Sequence, residues 1–339
     1  VERSRGLGDV YKRQVMDELI DNTSPCGYCK AKQSLKLYKT SSLSADTFYL
    51  NRCLICHAIF LSPRPTREQL DQAYGDTYYG QGRLKFTDFI EKMLDYFRLL
   101  RVRRTNRYIS PPAKILDIGC GNGRFLGYLI KRGFTGYGIE LPGKAAERTA
   151  QIPDLHLKVG TLEEEDFGED FFDGICMWHV FEHLIDPKET LRIIQRILKP
   201  GGYLMISLPN INSLQSKLFR GSWFHLDPPK HLFFLEAPDL ISEMETFGFN
   251  LIRLNYFSFE HNPFGFQQSI LNRFLGRREV FFELLKGNVT YTERHSPCSL
   301  MLQKLFYLST FPAFVLLAGL EAAIKKGGTM ELVFKKEDK

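Results

Sequence analysis

Three groups of residues in this 339-residue chain have types and spacings that could do chemistry. The first is Asp117-Ile-Gly119-Cys-Gly121-Asn-Gly123. Glycines at this spacing let the backbone turn tightly and approach a ligand closely. The dinucleotide fingerprint G-x-G-x-x-G would need a third glycine where Arg124 stands, and no G-x-x-x-x-G-K-[ST] run exists. A carboxylate ahead of the turn repels a pyrophosphate and suits a cationic amino-acid group. Glu140, 17 residues past Gly123, is placed to hydrogen-bond both hydroxyls of a ribose.

The second group is two C-x2-C pairs, Cys26/Cys29 and Cys53/Cys56. Two such knuckles supply four thiolates to one tetrahedral Zn2+, a closed site that is structural rather than catalytic. Redox chemistry and disulfides are the alternatives. A ribbon of this size has too small a core to fold alone, so metal would contribute much of its folding free energy. The third group is histidine-rich. His179, Glu182 and His183 lie in HVFEHLIDP, and His225, Asp227 and His231 lie in FHLDPPKHLFF. Histidine titrates near neutral pH and is the natural base toward a hydroxyl. Either set could instead anchor the fold. As metal ligands, His225, Asp227 and His231 lack a further acid or histidine spaced to complete a shell.

The elements around these groups alternate. Strands are expected at Lys114–Ile118, Gly136–Glu140, Leu155–Val159, Phe172–Val180, Tyr203–Pro209 and Leu251–Phe257, with a last candidate at Met330–Phe334. Helices are expected at Asn122–Arg132 and Ala145–Gln151, in a segment opened by Asp186, Pro187 and Glu189 and stopped by KPGG (199–202), and before Gly248. Strand and helix in alternation predict a doubly wound α/β sheet, mostly parallel, with helices on both faces. Ligands of such sheets sit at the carboxyl ends of the strands, where Asp117, Glu140 and the histidines fall.

The glycine loop, Glu140, Phe172-Asp173, HVFEHLIDP, KPGG and Gly248-Phe249 resemble class I S-adenosylmethionine-dependent methyltransferases over roughly residues 112–257. The resemblance implies a Rossmann-like sheet with an antiparallel last strand. It implies that Asp117, Gly119, Gly121 and Gly123 wrap the methionine part of the cofactor, that Glu140 holds the ribose, and that Leu162 and His179 border the rest. Where the family often has an Asp near the adenine, this chain has Gly160-Thr161-Leu162. The stretch CHAIFLSPRPTREQLDQAYGDTYYG is similar to the leader of zinc-ribbon methyltransferases, which implies that Tyr78 and Tyr79 reach the cofactor pocket. The same resemblance sets the FHLDPPKHLFF loop over the substrate. The candidate bases are His183, His231, His179 and His225.

These readings divide the chain into residues 1–14, which resemble an adapter scar, a zinc ribbon at 22–62, a linker and helix at 63–110, and a domain at 111–339 interrupted by a helical insertion at 258–328. Arg98, Arg101, Arg104 and Arg107 recur at helical spacing; they read as a solvated face, or as a grip on a phosphate or an anionic lipid. The run 305–320, apolar apart from its hydroxyls, with Pro312 inside, is short for a membrane span. It is expected to be a lid or dimer helix, or a peripheral membrane contact. With 44% hydrophobic residues, 25% charged residues and a net charge of +6, the chain is globular in composition, and nucleic acid is not its expected partner. A cytoplasmic location is expected from the cysteine pattern and the lack of an apolar leader. The expected acceptor is a small molecule. A non-catalytic docking protein and a nucleic-acid methyltransferase are the rivals.

Overall fold

The computed structural model describes residues 20–21, 24–75 and 88–338. Residues 1–14, Tyr78 and Tyr79 lie outside them. Two sheets organise the chain. The first is antiparallel and begins with β1 (Ile20–Asp21), β2 (Ser34–Ser41), β3 (Thr47–Cys53) and β4 (Ile59–Ser62). The β2–β3 hairpin accounts for the long spacing between the cysteine pairs, since it carries the chain out from Cys29 and back to Cys53. After β4 come α1 (Arg67–Ala73), opened by a Thr66–Gln69 capping box, and α2 (Asp88–Tyr108).

The second sheet has the order β11-β12-β9-β8-β5-β6-β7. Its first half runs β5 (Lys114–Ile118), α3 (Arg124–Ile130), β6 (Thr135–Glu140), α4 (Lys144–Thr149), β7 (Leu155–Val159) and β8 (Phe172–Trp178). The second half runs α5 (Pro187–Ile197), β9 (Leu198–Pro209), α6 (Leu214–Phe219), β10 (Phe233–Phe234), α7 (Ala237–Thr246) and β11 (Phe249–Asn255). Then α8 (Asn262–Leu275), α9 (Val280–Leu285), α10 (Val289–Thr292) and α11 (Pro297–Ala323) precede β12 (Thr329–Lys336). β12 inserts antiparallel between β9 and β11, and the strands from β9 to β7 are parallel, as the alternation predicts.

Asp186 caps α5 by accepting from the Glu189 amide, with Pro187 in the first turn. KPGG does not form a separate loop: β9 already starts at Leu198, and the register with β8 shifts across the glycines. The sheet core is aliphatic, with Leu116, Ile175, Leu204, Ile206 and Leu332 buried together. Phe233 and Phe234 belong to the first sheet, where β10 pairs with β4. The cysteine-bearing sheet is therefore completed by a strand from the far side of the chain, and Tyr28, Phe60 and Phe233 share the main core.

Candidate functional site

The glycine turn follows β5 and opens α3. Gly119, Gly121 and Gly123 all have positive φ, a region that costs any residue with a Cβ. Gly121 looks into a cleft of about 620 Å3 with open space around its α-carbon. Gly123 does not: a Cβ there would stand 2.7 Å from Thr149 of α4, so its role is packing and it leaves the ligand-facing set. Asp117, Gly119, Gly121, Glu140, Leu162, His179 and His183 all border this cleft.

Asp117 is buried, and its Oδ1 has no hydrogen-bond partner among the described residues. Burial pushes its carboxyl well above the usual carboxylate range; Arg101 opposes this and Glu140 adds to it. A buried carboxyl aimed into a cleft without a partner fits a cationic amino group. The Glu140 carboxylate accepts from the Gly121 amide at 2.6 Å and the Leu141 amide at 3.1 Å. Two carboxylate oxygens offer about four acceptor positions, so room for ribose hydroxyls remains. These residues fit S-adenosylmethionine.

The arginine stripe of α2 is not a solvated face. Arg98 pairs with Glu91 and Asp95, Arg101 with Glu260 at 2.5 Å, and Arg104 with Glu331. Arg107 alone of the four is exposed. Arg98 and Arg101 border the cleft, and the Arg101 guanidinium sits 5.5 Å from the Trp178 ring centroid. Arg124, which replaces the third glycine, also pairs with Asp95 and locks α3 to α2.

Beyond β8 the histidines converge on Glu182, which is 1% exposed. Neither of its oxygens has a hydrogen-bond partner among the described residues; His179 Nδ1 stands 3.4 Å and His231 Nε2 3.8 Å from Oε1. Burial acts to raise the Glu182 carboxyl, but His179, His231 and His183 outweigh it and hold it at about 2. Burial pushes His183 down to about 4 and lowers His231 as well, and His179 stands closer to the Glu182 carboxylate than His231 does. His179 adopts a left-handed φ of 57°, bonds Ser207 through its backbone, and lies 4.3 Å from the His261 ring. A strained non-glycine residue at a cleft edge is common at functional sites.

Two of the four expected bases are not in the cleft. His231 is buried behind His183, their rings 4.6 Å apart, and bonds the His225 carbonyl. Burial pushes His225 down to about 3; it is wedged against Gly265, where a Cβ would meet its Nε2 at 2.3 Å. The FHLDPPKHLFF loop therefore does not border the cleft: its C-terminal end becomes β10, where Phe233 and Phe234 pair with β4. Asp227 pairs with Lys230 at 2.8 Å and takes no part in a metal shell. The missing partners of His231 are instead Glu182 and His183, whose ligating atoms and those of His231 lie within 4.8 Å of one another. That spacing could hold a divalent cation; sequence spacing hid it because the residues come from two loops.

Tyr74, at the C-cap of α1, also borders the cleft, and its hydroxyl is 2.8 Å from His183 Nδ1. The capping box was the sequence signal for α1 and could have placed Tyr74. In the first sheet, the Sγ atoms of Cys26, Cys29, Cys53 and Cys56 lie within 4.8 Å of one another and form no disulfide. A hydrogen bond from the Cys56 thiol, offset in part by burial, brings Cys26 down to about 5.

The profile of the methyltransferase domain family matches residues 89–254. An uncharacterized methyltransferase of Synechocystis sp. is 30% identical over 167 residues, which cover 45% of this chain and 74% of that protein. The chain belongs to the methyltransferase family. The chain is also 34% identical over 106 residues to a ubiquinone biosynthesis O-methyltransferase of Alkalilimnicola ehrlichii, 29% of this chain and 42% of that enzyme. It thus spans less than half the length of that relative, and 45% of the enzyme of the same name from Pseudomonas syringae. A solved S-adenosylmethionine-dependent methyltransferase from Archaeoglobus fulgidus aligns at a TM-score of 0.42 with 17% identity, over 70% of this chain and 94% of that one.

Proposed function

We propose that this protein transfers the methyl group of S-adenosylmethionine to an oxygen or carbon of a small molecule. The acceptor classes that suit it are a sugar nucleotide, a glycan or a lipid-linked intermediate. The observation that carries the reading is the buried, unpartnered Asp117 Oδ1 at the mouth of a glycine turn, facing a cleft that Glu140 also borders. The O-methyltransferase name of the Alkalilimnicola relative supports an oxygen acceptor. S-adenosylmethionine supplies a methyl group on a sulfonium, already a good leaving group. What the chain adds is alignment and removal of the acceptor proton.

His183 is the proposed base. It borders the cleft and is neutral at pH 7, with Nδ1 3.1 Å from the Lys230 carbonyl. When that carbonyl accepts the Nδ1 proton, Nε2 carries the lone pair that takes the acceptor proton. Tyr74 and Lys230 fix the ring, and His179 borders the same space. His231 and His225 stay out of the cleft and support it from behind. The nucleic-acid alternative loses its support because Arg98, Arg101 and Arg104 are ion-paired.

Cys26, Cys29, Cys53 and Cys56 are proposed to hold a structural Zn2+. Metal analysis should find about one zinc per chain, and chelation should lower the unfolding midpoint. The activity is tested by screening candidate acceptors for methyl transfer from labelled S-adenosylmethionine. Failure of S-adenosylmethionine to bind in calorimetry would reject the reading in favour of a docking protein.

A further inference from the structure

α11 is a 27-residue helix with two unlike faces. Its inner face is tied to the body by polar contacts. Gln267 of α8 donates to the Tyr307 carbonyl and the Thr310 hydroxyl, and the Glu321 carboxylate accepts from Gln215 at 2.8 Å. Phe266 of α8 packs on Phe314, ring centroids 5.1 Å apart. The outer face carries Met301, Leu302, Leu305, Leu308, Leu316 and Leu320, each at least 55% exposed. At 1.5 Å per residue this stripe runs about 30 Å, from Met301 to Leu320, and Lys304 and Ser309 are the exposed polar side chains along it. A helix facing water puts its polar residues outward, so an apolar outer face of this size marks a contact.

The surrounding charge says what the contact is. Among the exposed charged side chains between 262 and 328, Arg273, Arg277, Arg294, Lys304 and Lys325 are cationic and Glu293 alone is anionic. The acids Glu279, Glu283 and Glu321 are buried inside the body. The cations follow α8 at its end, flank the first turns of α11 and follow its last turn. Phe274, 81% exposed, stands among the first of them. An apolar stripe bounded by cations matches a bilayer with anionic headgroups, where leucines enter the acyl boundary and lysines and arginines meet phosphates. A second copy of this chain would bring the same cations and almost no anions to that rim. A bilayer-spanning pose would strip Glu321 and Gln267 of their partners, which the hydrocarbon cannot replace.

We propose that the outer face of α11 and its cationic rim dock this protein, lying flat, on an anionic membrane surface. The inference is independent of the methyl-transfer reading. It is tested by cosedimentation of the full chain with vesicles of phosphatidylcholine alone and of phosphatidylcholine mixed with phosphatidylglycerol. Binding to the mixed vesicles is expected to be at least about tenfold tighter and to weaken with added salt. Leu305→Glu/Leu308→Glu/Leu316→Glu should weaken it by at least about a hundredfold. Circular dichroism and the unfolding midpoint check that this variant is folded. If it is not, Arg273→Glu/Lys304→Glu, which alters only the rim, should cost at least about tenfold. Absence of wild-type binding to the mixed vesicles, or full binding by a folded leucine variant, overturns the proposal. So does a stable wild-type dimer that the leucine variant converts to monomer without any vesicle binding having been seen.

Discussion

Asp117 and Glu182 are buried carboxylates at the carboxyl ends of neighbouring strands, and their surroundings are opposite. Asp117, one residue before the end of β5, borders the cleft with one oxygen unpartnered among the described residues, and burial drives it toward the neutral form. Glu182 follows β8 with neither oxygen hydrogen-bonded among the described residues, yet the histidines around it outweigh burial and hold its carboxyl low. One carboxyl waits for a cation from outside; the other is compensated from within. The difference teaches that an unsatisfied buried acid is not a single signal. The groups within about 4 Å decide whether it belongs to a ligand or to the scaffold.

The sharpest break of this comparison is Glu182→Ala. Removing the carboxylate leaves His179 Nδ1 and His231 Nε2 without their nearest acceptor in a buried site, a cost of about 1–3 kcal/mol. Denaturant unfolding should show that loss. An unchanged midpoint would mean that the histidines do not depend on Glu182.

Asp117→Asn should do the reverse. The free protein should unfold at the same or a higher midpoint, because an uncompensated buried acid is gone. S-adenosylmethionine should bind at least about tenfold more weakly, about 1.4 kcal/mol. The pH dependence follows from the sign of the shift. The Asp117 carboxyl is raised in the folded state, so its contribution is fully present below its unfolded pKa and is lost as pH rises through the folded one. The variant lacks that loss, so its advantage grows with pH. A bound cation stabilises the ionised form, so binding to the wild type releases a proton at any pH where the free carboxyl is still protonated. Calorimetry in two buffers of different ionisation heat should detect that release, and should not detect it in Asp117→Asn. Equal affinities would overturn the role given to Asp117.

The two acids also differ in how much of their setting could be read from the sequence. Asp117, Gly119, Gly121 and Glu140 form a local pattern, because a strand, a turn and the next strand bring them together within 24 residues. The strands of the sheet were legible for the same reason, since apolar periodicity is a short-range signal, whereas the antiparallel direction of β12 came from the family resemblance. The Glu182 cluster draws on residues 74, 179, 183, 225, 231 and 261, and only tertiary packing sets those distances. His231 and His225 looked like cleft bases because the family resemblance set their loop over the substrate. What decided otherwise was β10 pairing with β4, a two-residue strand that no periodicity announces. The arginine stripe was misread for a similar reason: its partners Glu260 and Glu331 are more than 150 residues away in the chain.

The smallest effect tests whether the two carboxylates are independent. Tyr74 joins them, since its hydroxyl contacts His183 of the Glu182 cluster and its side chain borders the cleft that Asp117 faces. Tyr74→Phe removes one hydrogen bond and little volume, a cost of about 0.5–1.5 kcal/mol. If His183 is the base and the two acids act separately, turnover should fall about two- to tenfold while the Kd for S-adenosylmethionine stays within about twofold. A parallel loss of cofactor affinity would show that the ring held by Tyr74 also shapes the pocket of Asp117. The compensated acid would then be part of the cofactor site, and the contrast drawn between the two would fail.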